Sequence, residues 1–300
     1  MLSLFKLLAY KIIPSWFYYQ ITFYINKKKL QKENYISFKK NKPKLIFDVL
    51  NNKLNFNKVF VLGSGSSINE LSDKNFDEIN SNCSVGINKW IFHDFVSNIY
   101  MIELNNDYDL NEKIRLQILY LLKNKSKDPI FLIYNLANSN IDIEKWTKNM
   151  DPEKVFFYKF LRPNVFKTEL KKEILNLLKF LPKINKTSNV ITLGAGSTAE
   201  RVIVLSLLFG SSKIILLGID LNNTKYFWNQ KDTNFKNIQS GQENHGYHLT
   251  ALKRFGGIPA QETILILSKL AKKYFNSQIF ISTKRSLLSS KLDKYLWKNK

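Results

Sequence analysis

The stretch Val190-Ile-Thr-Leu-Gly-Ala-Gly-Ser-Thr198 is followed by a helix-length apolar run to Phe209 and by Gly210-Ser-Ser-Lys-Ile-Ile-Leu-Leu-Gly218-Ile-Asp220. A short β-branched run, a turn of small residues, an apolar helical segment and a second apolar run form the pattern of a right-handed βαβ crossover. We therefore predict an α/β protein with a Rossmann-like, mostly parallel sheet and flanking helices.

The turn inside this stretch is a predicted binding site. Gly194 and Gly196 allow the backbone to approach a ligand closely, and Ser197 and Thr198 stand where a helix begins. The first turn of a helix has N–H groups without intrahelical partners, and these groups favour an anion. We predict that this turn binds a phosphate group.

The same pattern occurs earlier, in Val59-Phe-Val-Leu-Gly63-Ser-Gly65-Ser66-Ser67. Two strands would then end in small-residue turns at the carboxyl edge of one parallel sheet, where open α/β sheets bind ligands. Both turns lack the third glycine of a dinucleotide fingerprint and the Gly-Lys-Ser/Thr of a Walker loop. Together they favour a nucleotide of another kind.

The composition points to an anionic partner. The chain has 300 residues, 44% of them hydrophobic, and a formal net charge of +22, which indicates nucleic acid, acidic lipid or phosphorylated substrates. We expect no nucleic acid, because no RNP, zinc-finger or helix-turn-helix signature is present and the basic residues do not form one arm. Part of the lysine count is typical of an AT-biased genome.

Cys83 is the only cysteine of the chain. One cysteine excludes a disulfide framework or a zinc cluster built from cysteines, and it fits a reducing cytoplasm. A buried small apolar residue is a better interpretation than a nucleophile.

Residues 1–29 are apolar and aromatic, with lysines at the end. They contain no run of the roughly 18 to 20 apolar residues that a membrane-spanning helix needs, because Lys6, Lys11, Pro14 and Gln20 interrupt them. The pattern fits a peripheral segment on an anionic membrane surface. It fits equally a helix packed on the catalytic domain or on another subunit.

The domain organisation follows from these segments. Residues 1–57 are predicted to be the membrane-surface or packing segment with a basic linker. Residues 58–300 are predicted to form the catalytic domain, with a basic, largely helical insertion at about 136–188 and a basic terminal helix at 286–297.

Histidine occurs at His93, His245 and His248. The last two lie in Asn244-His245-Gly-Tyr-His248, beyond the loop that follows Asp220. Histidine is the side chain best matched to accepting a proton near neutral pH, so this loop is a candidate for the general base. As metal ligands the two histidines are incomplete.

Two further motifs allow more than one interpretation. Asp107-Tyr108-Asp109 has the form of a divalent-ion site for a diphosphate sugar, but Asp109 and Glu112 also form a capping box, which we favour. Tyr226 and its aromatic neighbours have polar flanks, which favours a ligand-facing loop.

These residues resemble the bacterial CMP-sialate-dependent sialyltransferases and the related folds that include the pterin-diphosphokinase-like proteins. The similar stretches are residues 59–67, 87–92, 197–220, Tyr226, 244–248 and 281–288. The resemblance implies a glycosyltransferase that moves an acidic sugar, such as sialic acid or Kdo, from a CMP donor to a surface-glycan or lipid-linked acceptor. It also implies inversion at the sugar and no metal or other cofactor. With the N-terminal segment, it implies a cytoplasmic enzyme that is peripheral on the inner face of the bacterial cytoplasmic membrane.

The resemblance assigns roles to individual residues. His248, with His245 close behind, would be the catalytic base. The donor would contact Gly63, Gly65, Ser66, Ser67, Asn88, Ser197, Thr198, Asp220, Asn222 and Tyr226.

The chain also departs from the family. Ala195 stands where the family has an arginine, and Asn222 replaces a second phosphate-binding tyrosine. The family's donor asparagine falls near Glu103 or Asn105.

Two other functions fit the sequence. One is a metal-dependent nucleotide-diphosphate-sugar transferase or pyrophosphokinase-like enzyme that uses Asp107 and Asp109. The other is a non-enzymatic basic module that binds membranes or nucleic acid. The sequence leaves open the exact donor sugar, the acceptor, the linkage and whether the protein is a homo-oligomer.

Overall fold

The computed structural model describes residues 15–37, 49–50, 53–124, 128–135, 141–163, 169–185, 191–222, 226–227, 250 and 258–297. The α-helices are α1 (Ser15–Ser37), α2 (Asp73–Asn80), α3 (Tyr108–Asn124), α4 (Ile143–Trp146), α5 (Leu170–Asn185), α6 (Thr198–Leu208) and α7 (Ala260–Tyr274). The strands are β1 (Lys58–Leu62), β2 (Cys83–Ile87), β3 (Ile99–Leu104), β4 (Ile130–Asn135), β5 (Val155–Phe157), β6 (Lys159–Leu161), β7 (Ile191–Leu193), β8 (Lys213–Leu217), β9 (Gln278–Ile281) and β10 (Asp293–Lys294). Short 3-10 helices follow β1 at Ser66–Glu70 and β2 at Asn88–Phe92.

The main sheet has eight strands in the order β10-β9-β8-β1-β2-β3-β4-β5, and every ladder in it is parallel. Val59 of β1 pairs with Cys83 on one side and with Ile214 on the other. From β1 the chain adds strands outward to β5, and it later adds β8 on the opposite side. The order therefore reverses between β1 and β8, and such a switch point is where open α/β sheets bind ligands. The predicted α/β class is confirmed.

The central strands are buried on both faces because their sequences are almost continuously apolar. Alternate residues of β1 enter separate cores: Val59 and Val61 pack with α5, α6 and α7, whereas Phe60 and Leu62 pack with residues of α2 and α3. Cys83 is buried in β2, and burial raises the pKa of its thiol to about 12. The prediction that Cys83 is a buried residue is confirmed.

The predicted crossover from residue 190 to 220 is correct in its elements and wrong in its pairing. β7, α6 and β8 form as expected, but β7 pairs with β6 in a separate two-stranded sheet, Phe160 opposite Thr192. The neighbours of β8 are β1 and β9. The two glycine turns therefore follow strands of different sheets.

The stretch 136–188 contributes to both sheets. It supplies β5, which pairs with β4 at the edge of the main sheet, and β6, which pairs with β7. The mostly helical prediction for this stretch is wrong at β6 and correct at α5.

The predicted terminal helix at 286–297 is wrong. Turns and the two-residue strand β10 occupy this segment. The cause is tertiary packing: Trp297 stacks on Phe60 at 5.8 Å, and the Tyr295 N–H donates to the Ile281 carbonyl at 2.9 Å. Contacts with the sheet override the helical pattern of the sequence.

α1 packs against the domain through one face. Tyr19 is buried and donates a hydrogen bond to Glu173 of α5, and Phe23 meets Phe180 edge-on at 6.2 Å. Asn26 donates to the carbonyl oxygen of Phe160 at 3.3 Å. The prediction that this helix packs on the domain is therefore correct for the face that carries Tyr19, Phe23 and Asn26.

Among the described residues, no helix combines the length and the apolar character needed to cross a bilayer.

Candidate functional site

A cleft opens at the carboxyl ends of β1 and β8, at the switch point of the sheet. Its cavity volume is about 110 Å³, and the cleft is partly open to solvent. Its lining comes from six separate segments: Gly63, Ser64, Gly65, Ile87, Asn88, Ser197, Thr198, Ala199, Gly218, Ile219, Asp220, Leu221, Tyr226 and Thr250.

Close contacts within the protein require glycine at Gly63, in the first turn, and at Gly218, after β8. A Cβ on Gly63 would lie 2.5 Å from the carbonyl oxygen of Gly218, and a Cβ on Gly218 would lie 2.4 Å from that of Gly63. Gly218 also has a φ of +63°, which favours glycine. The ends of β1 and β8 therefore touch backbone to backbone at two glycines, and both glycines line the cleft.

The side chain of Asp220, which follows β8, reaches into the first glycine turn at residues 63–67. Its carboxylate accepts hydrogen bonds from the Ser67 N–H at 3.1 Å and from the Ser67 hydroxyl. Burial raises the pKa of Asp220, and the Ser67 hydrogen bonds lower it in part. Asp220 thus lines the cleft and also ties the end of β8 to the turn after β1.

The structure places Ser66 and Ser67, which are predicted to contact the donor, away from the surface of the cleft. Both residues are buried and neither lines the cleft. The physical reason is that the N–H and hydroxyl of Ser67, predicted to face a phosphate, are bonded to the buried carboxylate of Asp220.

In the second glycine turn, the backbone N–H groups likewise donate to a side-chain carboxyl group of the protein itself. Glu200 is fully buried, and its Oε2 accepts hydrogen bonds from the N–H groups of Ala195 and Gly196, both at 2.9 Å. Burial raises the pKa of Glu200, and the backbone hydrogen bonds lower it in part. The N–H groups of Ala195 and Gly196, in the turn that is predicted to bind phosphate, therefore have an acceptor within the protein itself.

The hydroxyl residues of this turn do reach the cleft. Ser197 is the N-cap of α6, and its Oγ accepts the Glu200 N–H at 3.4 Å. Ser197 and Thr198 both line the cleft, at the helix end that favours negative charge. The structure thus places these two predicted contacts on the wall of the cleft.

Asn88 connects the ends of β2 and β3 with α6. Its amide Nδ2 donates to Thr198 Oγ1 at 3.2 Å, and its Oδ1 accepts the Glu103 N–H at 3.0 Å. Asn88 has a φ of 48°, a left-handed conformation that asparagine tolerates better than most residues. The residue is therefore held with its side chain between two strands and the helix that borders the cleft.

Glu103 and Arg201 extend this network behind Thr198. Thr198 Oγ1 donates to Glu103 Oε2 at 3.4 Å, and Arg201 Nη1 donates to the same oxygen at 3.1 Å. Burial lowers the pKa of Arg201, but Tyr158 and Glu103 outweigh this effect, so the net shift is upward. The Arg201 guanidinium also lies 4.0 Å from the centre of the Phe160 ring. A partly buried ion pair thus holds Thr198 in position.

At the end of β3, Glu103 and Asn105 have different hydrogen-bond partners. Glu103 lies beside Thr198, whereas the Asn105 side chain accepts the Asp107 N–H at 2.8 Å. Of these two residues, Glu103 is therefore the one whose side chain contacts the wall of the cleft.

Tyr226 closes one side of the cleft. It forms an isolated antiparallel bridge with Gly65, and the Lys89 Nζ lies 5.1 Å from the centre of its ring. Burial lowers the pKa of Lys89, and Asp107 offsets part of this effect. The ammonium group of Lys89 therefore lies over the ring of Tyr226, which borders the predicted phosphate position.

Asn222, which is predicted to contact the donor, does not line the cleft. Its N–H donates to the Asp220 carbonyl oxygen at 2.8 Å, and its side-chain Nδ2 donates to the Arg285 carbonyl oxygen. Nearby, Ser286 Oγ donates to the Ile219 carbonyl oxygen at 2.7 Å. The side chain of Asn222 therefore fastens residues 285–286 to the end of β8.

Leu221 shows backbone strain beside the cleft. Its φ is 62°, which is unfavourable for a residue with a bulky side chain. It is buried and lines the cleft next to Asp220. No sequence pattern indicates such a conformation.

Asp107 is a helix cap. Its Oδ1 accepts the Leu110 N–H at 3.0 Å at the start of α3. The predicted capping box of Asp109 and Glu112 is wrong: the capping residue is Asp107, Asp109 lies inside the first turn of α3, and Glu112 pairs with Arg115. Within the described part of the chain, no three His, Cys, Asp or Glu residues are grouped to hold a metal ion.

The histidines divide into two sets. The ring of His93 stacks on Trp90 at 4.1 Å, and its Nδ1 accepts the Phe95 N–H at 2.9 Å, so it has a packing role. His245 and His248, the predicted bases, lie outside the described residues.

The sequence interpretation missed Glu200 and Arg201. A signal for Glu200 was present, because Ser197 and Glu200 have the Ser-x-x-Glu spacing of a capping box. Arg201 has no comparable signal, since its partners Glu103 and Tyr158 are distant in the sequence.

No protein-family model and no curated protein sequence matches the chain. Among solved structures, the chain is similar to the monofunctional alpha-2,3-sialyltransferase Cst-I from Campylobacter jejuni. The TM-score is 0.45 at 14% sequence identity, and the match covers 80% of this chain and 80% of that chain. At this identity the similarity concerns the fold alone.

Proposed function

We propose that the protein is a glycosyltransferase that moves an acidic sugar from a CMP donor to a glycan or glycolipid acceptor of the bacterial surface. One observation supports this most directly. Residues that the sequence resemblance assigns to the donor come from distant segments and line one cleft at the switch point of the sheet: Gly63, Gly65, Asn88, Ser197, Thr198, Asp220 and Tyr226.

The cleft offers suitable chemistry for a single phosphate. Ser197 and Thr198 present hydroxyls at the N-terminus of α6, where developing negative charge is stabilised. Lys89 adds a cation whose Nζ lies 5.1 Å from the centre of the Tyr226 ring. We propose that these groups stabilise the CMP leaving group without a divalent ion.

We propose His248 as the general base, with His245 as the alternative. His248 precedes Thr250 by two residues in the sequence, and Thr250 lines the cleft. The base would take the proton of the acceptor hydroxyl while that oxygen forms a bond to the anomeric carbon. The bond from this carbon to the phosphate oxygen breaks with its electrons on CMP, and attack from the opposite face inverts the centre.

Nucleotide binding is tested by thermal unfolding of the full chain with CMP, CDP, UDP or GDP, each with and without manganese. We expect CMP to raise the melting temperature in both conditions, because a ligand that binds only the folded state stabilises it. A rise with UDP or GDP that requires manganese would instead support the metal-dependent alternative. No rise with any nucleotide would contradict both enzyme hypotheses.

The position of the donor is tested with Thr198→Val. We expect CMP affinity to fall by roughly 10- to 100-fold, because a hydrogen bond to a charged group contributes about 1.5–3 kcal/mol. Thr147→Val is a matched control: Thr147 is also buried, and its hydroxyl bonds the Ile143 carbonyl oxygen in α4, away from the cleft. Equal losses in both variants would contradict the proposed site.

The base is tested with His248→Ala and His245→Ala. We expect the variant that lacks the base to keep the CMP-induced rise in melting temperature and to lose at least about 100-fold in transfer rate. Unchanged transfer in both variants would contradict the proposed mechanism while leaving nucleotide binding intact.

A further inference from the structure

The outward face of α1 is apolar and exposed. Opposite the face that holds Tyr19, side chains at spacings of four, seven and eight residues form one stripe: Phe17 (43% exposed), Ile21 (42%), Tyr24 (57%) and Ile25 (47%). A helix on the surface of a soluble domain is normally polar on its solvent side. α1 therefore has two apolar faces, and only one of them is buried in the domain.

The exposed stripe is bordered by positive charge. Lys28 continues the stripe one turn after Tyr24, and its Nζ lies 4.7 Å from the Tyr24 ring centre. Lys27 Nζ lies 5.9 Å from the Phe23 ring centre. Residues 1–32 contain six lysines and no aspartate or glutamate. Lysine stems of this kind cover apolar surface while the ammonium groups reach a polar boundary.

We propose that this face of α1 docks on an anionic lipid surface, with the helix parallel to the membrane plane. The apolar stripe would enter the boundary between headgroups and acyl chains, and Lys27 and Lys28 would meet lipid phosphates. A second copy of the chain fits less well, because it would bring another lysine-bordered face against the first. The inference is independent of glycosyl transfer, since it rests on contacts of α1 alone.

The test is flotation of the full-length chain with vesicles. One set consists of phosphatidylcholine, and the other contains about 30% phosphatidylglycerol. We expect binding to the anionic vesicles only, and a marked loss in about 0.5 M NaCl, where exposed charges are screened.

Two variants test the face itself. Ile21→Ser with Ile25→Ser should weaken vesicle binding at least about tenfold, and Lys27→Gln with Lys28→Gln should weaken it by more than tenfold, roughly fivefold for each lysine. The matched control is Leu116→Ser with Tyr120→Ser, because these residues are similarly exposed on α3 (53% and 60%). This control should bind as the wild type does.

Circular dichroism and melting temperature show whether each variant is folded. Equal binding to neutral and anionic vesicles, no binding, or equal loss in the control would overturn the proposal. It would also be overturned if light scattering showed a dimer that the Ile21 and Ile25 changes dissociate, because the occupant would then be a second copy. None of these outcomes bears on the CMP test.

Discussion

At Glu200 a buried carboxylate takes the place that the glycine turn is predicted to offer to a phosphate. We predict that Glu200→Ala lowers the free energy of unfolding by on the order of 3 kcal/mol, because the N–H groups of Ala195 and Gly196 lose their acceptor. Urea denaturation measures this change.

Glu200→Gln keeps one acceptor oxygen and should lose less stability. The control is Glu262→Ala, an exposed glutamate in the first turn of α7, with an expected change within about 0.5 kcal/mol. Similar losses of unfolding free energy in Glu200→Ala and Glu262→Ala would show that the turn does not depend on the carboxyl group of Glu200.

Asp220 makes stability depend on pH. Because burial raises its pKa in the folded protein above the usual 3.8, its contribution is fully present below that value and is lost as the pH rises through the raised pKa. Asp220→Asn does not titrate. We therefore predict that the stability advantage of the wild type over Asp220→Asn shrinks as the pH rises from about 4 to 7.

Urea midpoints of both proteins across this range provide the measurement. An advantage that grows with pH would mean that the folded protein favours the ionised carboxylate, in which case Asp220 is held mainly by its hydrogen bonds to Ser67.

At the scale of elements, the contact between the ends of β1 and β8 determines the floor of the cleft. We predict that Gly63→Ala destabilises the protein by on the order of 3 kcal/mol and weakens the response to CMP, since its Cβ would meet the Gly218 carbonyl oxygen at 2.5 Å. Urea denaturation and nucleotide thermal shifts check both effects.

Gly210→Ala is the matched control for this change. Gly210 has a φ of +75°, and a Cβ at this position would have no neighbouring atom within 4 Å. Only backbone strain of about 1 kcal/mol is therefore expected, with the CMP response retained. If Gly210→Ala weakened the CMP response as much as Gly63→Ala, the effect would not come from the strand contact.

At the scale of the whole molecule, the net charge of +22 opposes the compact state through self-repulsion. We predict that the melting temperature rises between about 0.05 and 0.3 M NaCl, because salt screens this repulsion. A similar rise with an uncharged osmolyte at equal osmolality, or a fall with salt, would contradict the electrostatic explanation.

Much of this fold is predictable because its signals are local. The apolar runs of β1 and β8 and the small-residue turns indicate the sheet and its carboxyl edge, and half of the residues that line the cleft are predicted site residues. The pairing of β7 with β6 is not predictable in this way, because the Val190 stretch and β1 have the same pattern although they belong to different sheets.

The same limit applies to the site. Ser67 and Asp220 are both visible in the sequence as candidates, but their hydrogen bond joins residues 153 positions apart. That contact decides that Ser67 binds a carboxylate of its own chain. The pair of Glu103 and Arg201 is a similar case, because its members are 98 positions apart.

The hydrogen bonds from residues 285–287 to the end of β8 have a consequence for biosynthesis. Ser286 and Leu287 hold the carbonyl oxygens of Ile219 and Asp220, and Trp297 covers Phe60 in the central strand. On a translating ribosome, residues 285–297 emerge well after β1 and β8, the strands that they contact. We expect a nascent chain stalled before residue 285 to show a protease-sensitive β8 end, which becomes protected once residue 297 has left the exit tunnel.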